Sequence, residues 1–124
     1  MKRDMSLIRE ILLQVEARPS VNDWGPVEIN GRSQEEISYH VKMLHDDGLL
    51  EALDMRTYDP DDFKYDPKFL TARGHDFLDS VRNPSVWGKV KQQLAVIGGS
   101  ASLEVVKTIA KRAVADVLSN PPGE

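Results

Sequence analysis

The run SQEEISYHVKMLHDDGLLE, Ser33 to Glu51, carries a helix start, an apolar stripe and a helix stop in succession. Ser33 is placed to accept a hydrogen bond from the backbone N–H three residues on, and Glu36 to reach back to the backbone of Ser33, as in a capping box. Ile37, Val41 and Leu44 recur at the helical period with His40 beside them, so this face belongs in a core. Gly48 stands where a left-handed residue ends a helix, and Leu49 is poised to pack over the last turn. A cap of either kind contributes about 1 kcal/mol. Leu49 and Leu50 then open an extended segment.

Other elements fall around this helix. Asp4 caps a first helix running to about Arg18, with Met5, Ile8, Ile11, Leu12 and Val15 as its apolar stripe and Pro19 as its stop. Residues 20–32 contain Gly25, Pro26 and Gly31 and read as a loop holding a short strand around Val27 to Ile29. Residues 49–70 alternate extended, aromatic-bearing pieces with Pro60, Pro67 and many aspartates, which suits a two-stranded hairpin with a polar tip near Asp59 to Asp62. Thr71 caps a third helix with Phe77, Leu78 and Val81 inward. Asn83-Pro84 starts a fourth, lined by Val86, Trp87, Val90, Leu94 and Ile97. Gly98 and Gly99 break it before a fifth helix, from about Ser102 to Leu118. The expected fold class is therefore α+β, mainly α: a winged-helix-like domain over 1–83 with a two-stranded wing, a C-terminal helical extension over 84–119, and a disordered tail at 120–124. Ile37, Val41, Leu44, Leu70, Phe77 and Leu78 are the expected core.

A chain of 124 residues suits one domain with a modest core. It has no apolar run able to span a bilayer and no secretory pattern, so no membrane association is expected. The absence of cysteine excludes disulfide and thiol chemistry and fits a reducing compartment, which points to a soluble cytoplasmic protein.

MKRDMSLIREILLQVE, EEISYHVKMLHDDGLLEA, LTARGHDFLDSVRNPSVWGKVKQQL and GGSASLEVVKTI together resemble a family of short bacterial and phage-borne proteins that carries a domain-of-unknown-function label. The resemblance covers most of the chain, with GHDFLD and GLLEA its more specific pieces. It implies a winged-helix-like fold and supplies no activity or site residues. ISYHVKMLHDDGLL also resembles the recognition-helix segment of arsenical-resistance-type and multidrug-type repressors, and LTARGHDFL resembles the helix that follows their wing.

These resemblances make a DNA-binding transcriptional regulator, phage- or prophage-borne, the first functional expectation. Ser38, Tyr39, Lys42 and His45 on the helix and Lys64 and Lys68 on the wing are its candidate DNA contacts. Two features oppose it. The residues before Ser33 are turn-rich, so the positioning helix of a helix-turn-helix is missing or replaced by a strand. Lys42 is outweighed by Glu35, Glu36, Asp46 and Asp47, and Arg56, Lys64 and Lys68 by Glu51, Asp54, Asp59, Asp61, Asp62 and Asp66, whereas DNA affinity comes mostly from cations on phosphates. Lys89, Lys91, Lys107, Lys111 and Arg112 make the C-terminal helices the basic part of the chain. The alternative is a non-enzymatic protein-interaction module, of the antitoxin or host-protein-inhibitor type, that uses the acidic surface.

Trp87, Leu103, Val106, Ile109, Ala110, Ala113 and Val117 form an apolar face. It either closes an intramolecular hairpin across Gly98-Gly99 or makes a homodimer interface with a second chain. No catalytic residue, cofactor or metal is expected. His40 and His45 are five apart on a helix and diverge, and no zinc spacing includes His75. The aspartates at the hairpin tip lack the calcium-loop pattern, and Glu35 and Glu36 point apart.

Overall fold

The computed structural model describes residues 1–119; the tail expected at 120–124 lies outside the described residues. Five helices and one two-stranded antiparallel sheet follow in the order α1 (Met5–Glu16), α2 (Gln34–Asp46), β1 (Leu50–Asp54), β2 (Tyr65–Leu70), α3 (Ala72–Val81), α4 (Pro84–Val96) and α5 (Leu103–Ser119). This is the mainly helical α+β class expected. The chain divides into two compact units, Met1–Asp76 and the residues from Phe77 onward, so the division falls inside α3 rather than at Asn83-Pro84.

In the first unit α1 and α2 pack on each other, and both pack on the hairpin. The buried stripe of α1 includes Ile8, Ile11, Leu12 and Val15, and that of α2 includes Ile37, Val41 and Leu44. Asp4 accepts from the Leu7 N–H at 3.1 Å, and Ser33 Oγ accepts from the Glu36 N–H at the same distance. The reciprocal half of the expected capping box is diverted. Glu36 takes Arg32 at 3.3 Å, while the same guanidinium lies 2.7 Å from Asp4 and so links the start of α1 to the start of α2. At the far end of α2, Gly48 adopts φ +80°, which costs a residue without Cβ little. Its N–H reaches the His45 carbonyl and that of Leu49 reaches the Leu44 carbonyl, both at 2.9 Å, closing a Schellman motif.

The segment before α2 corrects one expectation: no strand forms at Val27 to Ile29. Side chains take its carbonyls instead. Gln34 donates to the Val27 carbonyl at 2.9 Å and Gln14 to the Glu28 carbonyl at 3.1 Å. Helix α1 stops at Glu16, short of the expected Arg18, and Arg18 donates to the carbonyls of Gly25 and Pro67, each at 2.7 Å. One side chain thus pins the loop to the sheet. The hairpin register runs from Leu50 opposite Leu70 to Asp54 opposite Tyr65, with an irregularity at Glu51/Ala52 that leaves Lys68 without a partner. Pro67 lacks an N–H, and a bulge beside it is the arrangement that tolerates proline within a strand.

Thr71 Oγ1 donates to the Gly48 carbonyl and accepts from the Gly74 N–H, so it caps α3 and ties it to the end of α2. The six expected core residues are all buried. In the second unit, Asn83 Oδ1 accepts from the N–H groups of Ser85 and Val86 with Pro84 at the first helical position. Helices α4 and α5 pack together across Gly98-Gly99.

Candidate binding surfaces

The outer side of α2 is more occupied than its sequence suggests. Ser38, expected to face outward, is only 1% exposed and cannot reach a base edge. A small residue three positions before Val41 and seven before His45 falls on the same arc, and that spacing was the available signal. Tyr39 is half-buried with its ring edge-on to His40, centroids 5.7 Å apart. His45 Nδ1 lies 3.2 Å from the Leu50 carbonyl oxygen, to which it can donate. Lys42 pairs with Asp46 at 2.5 Å and lies 5.8 Å from the Tyr65 ring centroid.

His40 is fully buried, and its protonation pattern is fixed by its neighbours. The Asp4 backbone N–H donates to Nε2 at 2.9 Å, leaving Nδ1 to carry the proton and donate to the Glu36 carbonyl at 2.8 Å. Both ring nitrogens are spent on backbone. Partial burial pushes the Asp4 pKa up, but the Leu7 N–H, the Arg32 guanidinium and the Ser6 N–H outweigh this and hold it below the ordinary aspartate value. Among the described residues no group of three or more His, Asp or Glu is placed to hold a metal.

The hairpin presents acid with few free cations. Arg56 grips Asp54, with its Nε 2.9 and 3.0 Å from the two carboxylate oxygens, and this lowers the Asp54 pKa to about 2. Tyr65 donates to the same carboxylate at 3.3 Å. Lys64 is half-buried, and its carbonyl accepts from the Met55 N–H at 2.9 Å. Lys68, also half-buried, lies 5.8 Å from the Phe69 ring centroid. Asp66, counted with the surface acids in the sequence, is buried.

At the tip, side chains tie down the backbone. The Thr57 N–H donates to Asp62 at 2.9 Å, the Asp59 N–H to Thr57 Oγ1 at 3.2 Å, and the Asp61 N–H to Asp59 at 2.9 Å. These carboxylates are turn-formers first. Tyr58 stands fully exposed among them.

Two comparisons bear on this architecture. A family described as "Hypothetical protein (DUF2513)" matches residues 2–100. The chain belongs to the DUF2513 family. An "Uncharacterized protein" of Haemophilus influenzae (strain ATCC 51907 / DSM 11121 / KW20 / Rd) is 32% identical over 120 residues, covering 96% of this chain and 100% of that protein. No solved structure matches. The DUF2513 match bears out the expected family of unknown function and assigns no activity to any residue. It ends before α5, which the Haemophilus alignment reaches.

In this DUF2513 chain the apolar face expected to meet a second copy is largely used internally. Trp87, Leu103, Val106, Ala110 and Ala113 are buried within the single chain, and Ile109 and Val117 are half-buried. Helices α4 and α5 close a fold-back hairpin that covers most of those positions within the single chain. Charge separates the two parts of the molecule. Residues 1–76 hold ten Lys and Arg against sixteen Asp and Glu, whereas residues 84–119 hold five against two. Among the described residues no helix is long and apolar enough to cross a membrane.

Proposed function

We propose that this protein is a non-catalytic interaction module whose β-hairpin presents an aromatic anchor in an acidic surround to a basic protein surface. The observation that carries this reading is Tyr58, fully exposed on a loop whose backbone is already fixed by Thr57, Asp59 and Asp62. Exposed aromatics in ordered surroundings make binding hot spots, and a pre-formed loop loses little entropy on docking. Asp59 and Asp61 beside it favour a cationic partner and repel a polyanion. The burial of Ser38 and the commitment of His45 and Lys42 leave α2 poorly equipped to read DNA, and on the hairpin Lys64 and Lys68 stand against more numerous carboxylates.

A photo-crosslinking residue at Tyr58 in cells tests this, with one at the exposed Ser6 as control. Protein adducts at position 58 that vanish in an Asp61→Lys background are expected. Adducts only to nucleic acid, or adducts indifferent to Asp61, overturn the reading.

A second reading, the DNA-binding regulator, draws support from the cation excess of residues 84–119. Contact would then run from α4 and α5 to phosphates without base readout. Fluorescence anisotropy with a labelled duplex at low salt checks it. Binding that falls steeply with added salt and is lost in Lys107→Glu/Lys111→Glu supports it; no binding removes it.

A further inference from the structure

On one side of the seam between α4 and α5 lies an open groove of about 510 Å³. Its floor is Ile109 and Ala113; Lys89 and Gln93 of α4 and Arg112 and Asp116 of α5 form its walls. We propose that this groove docks an acidic amphipathic helix from a partner protein. The inference concerns a different surface from the hairpin and stands independently of the function proposed above.

Spacing defines the shape. Lys89, Gln93 and Val96 follow each other at four and three residues along α4, and Val105, Ile109, Arg112 and Asp116 at four, three and four along α5. Each set is one stripe of its helix. Beyond the groove's own lining the stripes continue towards the inter-helix turn to Val96, 82% exposed, and Val105, 44% exposed, while the cations lie within the groove. Two to three turns of each helix, roughly 10–15 Å, are therefore available to a guest. A helix offering apolar anchors at i, i+3/i+4 and i+7 fits a groove of this kind.

Charge selects the guest. Among the described residues Lys89 and Arg112 form no ion pair, in contrast to Arg32, Lys42 and Arg56 of the first unit. Covering unpaired cations is costly unless the incoming surface supplies carboxylates. A second copy presenting the same groove would set like charge against like. Nucleic acid would leave Ile109, and Val96 and Val105 beside the groove, uncomplemented.

The test is an ¹⁵N NMR titration of the full chain with four probes. These are a synthetic amphipathic helix of leucine and glutamate, its leucine–lysine counterpart, a short DNA duplex, and the protein itself by dilution. Progressive shifts confined to residues 89–96 and 105–116 with the glutamate peptide alone are expected, with a dissociation constant below about 1 mM. The exposed substitutions Arg112→Glu and Val96→Ser should weaken it by about tenfold and about threefold respectively while leaving other resonances in place. Equal binding of the lysine peptide, DNA shifting the same resonances, shifts on dilution, or no response to the glutamate peptide at about 1 mM each overturn the proposal.

Discussion

Replacing Gly74 by alanine should destabilise the protein, although alanine is the better helix former. Within a helix, alanine in place of glycine normally contributes about 1 kcal/mol of stability. At Gly74 an added Cβ would stand 1.9 Å from the Leu49 carbonyl oxygen and 2.9 Å from its carbon. The obstacle is backbone. Leu49 is held there by its N–H on the Leu44 carbonyl and by its own carbonyl accepting from the Thr71 N–H at 3.0 Å, so it cannot rotate away like a side chain. Overpacking typically costs about 1–3 kcal/mol, and a rigid obstacle belongs at the upper end. Subtracting the propensity gain leaves a net loss of about 2 kcal/mol, or roughly 5–10 °C in Tm for a chain of this size. Gly88 supplies the matched control, because it is also helical and its added Cβ would meet nothing within 4 Å. Gly88→Ala should therefore raise Tm by a few degrees. Thermal and urea melts followed by circular dichroism read both variants. If Gly74→Ala stabilises as Gly88→Ala does, the close approach of α3 to the end of α2 is wrong, and so is the account of Thr71 as the clasp between them.

Two further perturbations follow from the first unit. Arg18→Met removes two charge-assisted hydrogen bonds to backbone carbonyls and should cost about 2–3 kcal/mol, with faster amide exchange centred on residues 24–29; unchanged exchange there would refute the pinning. The Asp54 carboxyl, depressed from 3.8 to about 2, contributes stability present above pH 4 that is lost as pH falls towards 2. An NMR titration should show its pKa rising towards 3.8 in Arg56→Ala, short of full recovery because the residue 56 N–H and the Tyr65 hydroxyl still donate to it. A value still near 2 would mean that the Arg56 side chain is not the main cause.

Elements with local chemical signals were legible in the sequence. Ser33, Gly48, Asn83-Pro84 and Gly98-Gly99 announce their helix ends because a cap is a contact between residues a few positions apart. The loop from Pro19 to Arg32 was not legible, because three long polar side chains from outside it decide its course. Nothing near Arg18 in the sequence points to Pro67, 49 positions on. Glu36 shows how close competitors blur a local rule: its neighbour Arg32, already drawn to Asp4, captures the carboxylate before it can complete a capping box.

The same competition decides the candidate surface. A sequence counts Lys42 and Arg56 as cations available to a ligand, yet in the fold each is neutralised by a carboxylate a few residues away, Asp46 and Asp54. Local pairing subtracts those cations from any phosphate-binding face, leaving Glu35, Asp47, Glu51 and Asp61 exposed on α2 and the hairpin. On α5 the sequence spacing would equally permit Arg112 and Asp116 to pair at i, i+4, but no such ion pair forms among the described residues. The difference between a spent cation and an available one is therefore set by rotamer and surroundings rather than by sequence distance. On this difference rest both proposals, of a basic partner for the hairpin and an acidic one for the helical groove.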